Sequence, residues 1–223
     1  MELNRFYEQL LQFPLFQGLS RNELLQLAGN TKFGFLKVPA HKTIVREGDI
    51  CHQLIFLING QLSMTTKSDD HSYRVEEQLH APWLLQPEML FGSQPRYTAT
   101  FEAMTEAHFI TLSKDEVLRL LDDFLIFRIN LLNLTSTISQ RRGHLPWRRS
   151  SQTLRQRIIR FLVDHSTYPA GHKVFYILMS QVASELNSQR LKVSHELNAM
   201  QDEGLLHLHR GRIEVPSLEQ LLM

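Results

Sequence analysis

The sequence predicts an α+β protein of two unlike halves joined by one long helix, and three observations carry that prediction. From Phe33 to Leu112, apolar residues alternate in short runs broken by turn residues, which is the period of strands. From Phe124 to Arg142 they step by three and four, the period of a helix with one apolar seam. After Arg142 the chain reads as amphipathic helices and a closing hairpin. A chain of 223 residues is long enough for two modest domains, and its 43% hydrophobic content is that of a globular protein.

Composition excludes several classes of function. No run approaches the roughly 18 apolar residues of a membrane span, and MELNRFYEQL lacks the basic flank and apolar segment of a secretion signal. A cytoplasmic protein with no membrane partner is expected. The single cysteine, Cys51, cannot form an internal disulfide, complete a thiolate zinc site or hold an iron–sulfur cluster, and a small buried hydrophobe is its expected role. None of the eleven histidines shows metal-ligand spacing, and His41, His52, His71 and His80 fall near predicted turns. No nucleophile, base and orienting group come together, so no catalytic residue and no enzyme is expected. Net charge is only +1, yet from Arg141 onward twelve Lys and Arg face seven Asp and Glu, a balance that suits a polyanionic partner.

In chain order, residues 2 to 12 read as a helix, and Ser20 followed by Glu23 is a capping-box pattern opening a second. FGFLKV, TIV, LIFLI, QLSMTT and YRVEEQL are strand-length runs, with Glu47-Gly48-Asp49, Asn59-Gly60 and Ser68-Asp69-Asp70 between them. Asn59-Gly60 predicts a two-residue hairpin, since both residues tolerate positive φ. A last pair of strands, Thr98 to Met104 and Ala107 to Leu112, precedes Ser113-Lys-Asp-Glu, which predicts a helix cap. The N-terminal half is thus a small β-barrel or roll.

PLFQGLS, TIVREGD, LIFLINGQL and the aliphatic strand ending at Leu112-Ser113 together resemble the cyclic-nucleotide-binding-type sensor of the Crp/Fnr transcription regulators. The resemblance implies a jelly-roll sensor with a small-molecule effector. In that family a glutamate holds the ribose, an arginine the cyclic phosphate, and backbone amides cradle it. The matching stretch is PEMLFGSQPRYTATFEA, which makes Glu88, Arg96, Tyr97 and Thr98 the candidate effector residues. Pro87, Leu90 and Tyr97 depart from the pattern, since proline removes an amide and bulky side chains obstruct close approach of a phosphate. Cyclic AMP is therefore not the expected effector, and Arg96 is either a phosphate ligand or a solvated loop arginine. Haem, which some relatives bind, is left open.

On the central helix Phe124, Phe127, Leu131, Leu134 and Ile138 form the seam that predicts a homodimer; the alternative is a helix lying on its own domain. Gly143 and Pro146 mark a hinge, with Arg148 and Arg149 just beyond it. SQTLRQRIIRFLVDHS then places Leu154, Ile158, Phe161 and Leu162 on one helical face, and residues 165 to 173 read as a turn-rich link.

VASELNSQRLKVSHELNAMQDEGLL reads as helix-turn-helix. Val182, Ala183 and Leu186 make an inner face, Asn187 takes a left-handed turn position, Val193, Leu197 and Met200 form the second apolar stripe, and Gly204 ends it. Leu206, Leu208, Ile213 and Val215 alternate around Arg210-Gly211, a hairpin that reads as a wing. The combination resembles the Crp/Fnr winged helix-turn-helix, with Arg190, Val193 and Ser194 on its Arg-x-x-Val-Ser pattern. The resemblance implies a transcription regulator that binds double-stranded DNA, with a near-palindromic operator and contact with RNA polymerase. Gln189, Arg190, Leu191, Lys192, Ser194 and His195 would face the DNA, Arg190 reading a guanine, while Lys192, His195, Arg210 and Arg212 meet phosphate. Leu191 and His195 replace an acid and an arginine of the family pattern, so the operator should differ from the usual half-site. The expected domains are a sensor at 1–112, a dimerisation helix and hinge at 113–146, and a DNA-binding domain at 147–223. The rival is a signalling module that binds no DNA and uses the roll to gate a partner protein.

Overall fold

The computed structural model describes residues 2–144 and 153–222. They form two compact units, residues 2–62 with 79–144 and residues 63–78 with 153–222. Pro146, Arg148 and Arg149, the predicted hinge and its basic patch, lie outside the described residues. No helix among those described is long and apolar enough to cross a membrane.

The first unit opens with helices α1 (Glu2–Leu11) and α2 (Arg21–Asn30). The predicted capping box is present: Ser20 Oγ accepts from the Glu23 N–H at 3.3 Å and the Glu23 carboxylate accepts from the Ser20 N–H at 2.7 Å. Strands β1 (Gly34–Val38), β2 (Thr43–Val45), β3 (Gln53–Asn59), β4 (Gln61–Lys67), β5 (Arg74–His80), β6 (Trp83–Leu84), β7 (Thr100–Ala103) and β8 (Ala107–Ser113) follow. One antiparallel sheet runs β1-β8-β3-β6, and β2 pairs with β7. The hairpin expected at Asn59-Gly60 is not formed, because β3 and β4 belong to different sheets. Only Gly60 has positive φ, and a Cβ there would stand 2.7 Å from the Glu106 carbonyl oxygen. The glycine serves a corner with a close backbone crossing rather than a hairpin.

Ser113 caps α3 (Lys114–Asp123) as predicted, its Oγ accepting from the Glu116 N–H. The long helix α4 (Leu125–His144) begins after Phe124, which caps α3 and is not part of α4. Phe124, Phe127 and Leu131, assigned above to a dimer seam, are buried within their own unit, and Leu134 and Ile138 are half-buried. The Phe127 ring packs on Phe16 with centroids 5.5 Å apart, and Asn130 Nδ2 donates to the carbonyls of Leu15 and Gln17. A three-four repeat records one buried helix face, and here intramolecular packing takes its Phe124, Phe127 and Leu131. The face left outward carries Leu125, Ile129 and Leu132, which are 60%, 42% and 59% exposed.

The second unit holds α5 (Leu154–Asp164), β9 (Lys173–Tyr176), α6 (Met179–Glu185), α7 (Arg190–Asp202), β10 (His207–His209) and β11 (Arg212–Val215). The arms of the β4–β5 hairpin extend its sheet in the order β10-β11-β9-β5-β4. β9, which begins at the last residue of the link expected from 165 to 173, was not expected, and it pairs with β5 from Arg74↔Tyr176 to Glu77↔Lys173. Val75 of the hairpin joins a core of Ile158, Phe161, Leu162, Phe175, Val182, Val193, Leu197 and Met200. Glu77 and Lys173, directly opposite and each 1% exposed, form an ion pair at 3.0 Å within this unit.

Candidate nucleic-acid interface

Helices α6 and α7 are joined by a tight turn whose geometry is set locally. Asn187 adopts φ 45°, the left-handed conformation predicted for it, and its N–H donates to the Ser184 carbonyl. The Ser188 N–H donates to the Ala183 carbonyl at 2.9 Å. Arg157, on α5, closes the turn by donating from Nη1 to the Leu186 carbonyl at 2.9 Å, an end-of-helix acceptor that would otherwise lack a partner. Arg155 clamps the other end of α7 through both guanidinium nitrogens on the Glu203 carboxylate. The Arg155 guanidinium in turn holds the Glu203 carboxyl below its ordinary range. Neither arginine was singled out from sequence, because each acts on an acceptor far along the chain.

Val193, Leu197 and Met200 are fully buried and fix the rotation of α7 about its axis. That rotation turns Arg190, Leu191, Lys192 and His195 to solvent, with Gln189 exposed at the N-cap and Ser194 half-buried. Arg190 makes no pair with an acid on the facing helix α6: among the described residues Arg190, Lys192 and Arg210 form no ion pair. The first turn of α7 has no side-chain cap, so its N–H groups and the positive helix end point outward beside these cations. Two grooves flank this ridge. One, of about 450 Å3, lies between Arg190 and the wing residues 208–213; the other, of about 580 Å3, is lined by Arg157, Asn187, Ser188, Gln189 and Lys192.

Gly204, at φ 76°, ends α7 with the paired bonds of a glycine stop: its N–H donates to the Gln201 carbonyl and the Leu205 N–H to that of Met200. β10 and β11 then pair His209↔Arg212 across Arg210-Gly211, with Gly211 at φ 71°. Gln201 Oε1 accepts from the Leu208 N–H at 2.6 Å, tying the wing to α7. Arg210 is exposed at the tip. Arg212 is the first residue of β11, with Nη2 3.6 Å from the Glu214 carboxylate. The Glu214 carboxyl is held below its ordinary range, first by His172 at 3.0 Å and then by Arg212 and His209.

In the first unit Arg96, Tyr97 and Thr98 of the candidate effector residues are each engaged with a residue outside that set. Tyr97 is buried, its hydroxyl donating to the Gln53 carbonyl at 3.4 Å, and burial pushes its phenol up. Arg96 is exposed and donates from Nη1 to the Gly48 carbonyl at 2.7 Å. Gln86, which sequence reasoning missed, accepts from the Thr98 N–H at 3.0 Å and donates to Thr98 Oγ1 at 2.8 Å. The N–H groups of Met89 and Leu90 close the short turn around Glu88 by donating to Gln86 and Pro87. The amides of Met89, Leu90, Tyr97 and Thr98 are therefore already bonded, and Pro87 has none to offer. Cys51 is buried nearby, and burial pushes its thiol up. Among the described residues no group of three His, Cys, Asp or Glu is placed to hold a metal ion.

Comparison with known proteins matches residues 35–124 to the cyclic nucleotide-binding domain and residues 156–223 to the Crp-like helix-turn-helix domain. The sensor domain of the transcriptional regulator DNR from Pseudomonas aeruginosa is similar at 22% identity and TM-score 0.52, covering 69% of this chain and 100% of its own. A cyclic nucleotide-binding domain from Methylobacillus flagellatus matches at 16% identity and TM-score 0.51, covering 67% and 88%. The Thermus thermophilus catabolite activator protein matches at 20% identity and TM-score 0.48, over 94% of this chain and 97% of its own. No curated protein sequence matches the chain.

Proposed function

The chain belongs to the Crp/Fnr family of transcription regulators, and from that premise we propose that it acts as a homodimer on a near-palindromic operator without cyclic AMP as effector. The observation that carries the DNA half is the outward cluster of Arg190, Lys192 and Arg210 around the first turn of α7, unpaired among the described residues. Two copies of α7 related by a two-fold axis would read half-sites about 34 Å apart, one helical turn. Selection from a random duplex pool tests this, and an enriched inverted repeat is the expected product. Enrichment of no motif would favour the rival signalling module.

The outward face of α4 supports the dimer. Leu125, Ile129 and Leu132 step by four and three and are exposed on their own unit. Replacing both Leu125 and Leu132 with aspartate would bring four charges into an apolar seam. Light scattering is expected to give the monomer mass for this variant and the dimer mass for the parent. A variant that keeps the dimer mass would move the interface elsewhere.

The bonded amides around Glu88 and Thr98, together with Pro87 and Tyr97, support an effector other than a cyclic nucleotide. Calorimetry with cyclic AMP and cyclic GMP is expected to show no micromolar binding. A Kd near 1 μM, about −8 kcal/mol, abolished by Arg96→Ala, would make Arg96 a phosphate ligand instead.

A further inference from the structure

Leu191 is 84% exposed, more than any other large hydrophobic residue among those described. It belongs neither to the core of its own unit, which takes Val193 and Leu197 from the same helix, nor to the hydrophobic residues packed against that core. A leucine held in water at the second position of a helix adds nothing to folding and forgoes the gain of burial. Its neighbours fix what can cover it. Arg190 lines the groove toward the wing and Lys192 the groove on the opposite side, so Leu191 sits on the ridge between two cationic walls. An apolar protein partner would have to bury those unpaired cations, at a cost that rises steeply out of water. The DNA major groove meets both requirements, placing phosphates along its edges and one apolar group, the thymine C5-methyl, on its floor.

Resting on the assignment of α7 as the recognition helix, we propose that Leu191 determines operator specificity by packing on the C5-methyl of a thymine in each half-site. The contact adds no hydrogen bond, so it selects thymine over cytosine and uracil by one methyl group. Leu191 thereby takes over a position at which a charged residue would have read a base by hydrogen bonding.

The test replaces each thymine of the selected operator in turn with deoxyuridine, which removes only the methyl. The parent protein is expected to lose about fourfold in affinity at one thymine per half-site, the worth of one buried methyl group. Leu191→Ala is expected to bind the thymine and deoxyuridine duplexes equally at that position. The side chain is exposed, so this variant should keep the parent's fold, which its unfolding curve checks. If the parent discriminates operator from scrambled duplex yet no thymine responds, the proposal falls while the recognition-helix assignment stands. If Leu191→Ala still senses the methyl, another residue makes the contact and the proposal also falls. Equal binding to operator and scrambled duplex would remove the assignment beneath it.

Discussion

Replacing Lys173 with methionine is expected to lower the unfolding free energy by about 3 to 5 kcal/mol, because it strands a carboxylate in the interior of the DNA-binding unit. Glu77 and Lys173 are each 1% exposed and lie opposite one another on β5 and β9. Glu77 also accepts from the N–H groups of Thr167 and Tyr168, at 2.8 and 3.2 Å, and Lys173 donates to the Ala170 carbonyl at 2.8 Å. The pair therefore organises the 167–170 turn as well as the strand register. Removing both charges, in Glu77→Gln with Lys173→Met, keeps an acceptor for the turn amides and removes the unpaired ion. Urea titration should find the double variant more stable than Lys173→Met alone. A Lys173→Met loss below about 1 kcal/mol would mean that water reaches the pair and that it has the value of a surface ion pair.

The second large effect is on binding. Arg190→Ala is expected to weaken operator binding by about 1 to 3 kcal/mol per half-site and to flatten preference at one base pair. The guanidinium is exposed, unpaired among the described residues, and carried by the first turn of α7, whose rotation is fixed by Val193 and Leu197. Its planar fork matches O6 and N7 of guanine, which a lysine cannot reproduce. Arg210→Ala, at the wing tip, should instead weaken operator and scrambled duplex alike and reduce the salt dependence, as loss of a phosphate contact does. Arg212 was expected to share that role, but it faces Glu214 at 3.6 Å, so its removal should have the smaller effect of the two. Full retention of specificity by Arg190→Ala would move base reading to Leu191, Lys192 or His195.

What was legible in the sequence was local. The capping box at Ser20 and Glu23, the left-handed Asn187, the stripe of Val193, Leu197 and Met200, and the Arg210-Gly211 turn each depend on residues a few positions apart. What failed depends on distant partners. The repeat through Phe127 and Leu131 does not say what covers it, and Phe16, over a hundred residues earlier, packs on Phe127 within the same unit. Gly60 shows the same limit, since its neighbour Glu106 lies on another part of the chain and no turn dipeptide reports it. The pairing of β5 with β9, the Glu77–Lys173 bond and the Arg155 and Arg157 clamps all join segments too far apart for periodicity to reveal. In the effector region the obstacles Pro87, Leu90 and Tyr97 were readable as residue types. The role of Gln86 was not, because it depends on a left-handed backbone at φ 34° that points its carboxamide at Thr98.

Whether α7 and the wing form a sequence-reading DNA surface is tested by titrating the parent protein against its selected operator and a scrambled duplex across a series of salt concentrations. Affinity for both is expected to fall steeply with salt, as counterions are released from phosphates, while the operator stays tighter by about a thousandfold or more. Affinity that is the same for the two duplexes, or that does not change with salt, would contradict this expectation.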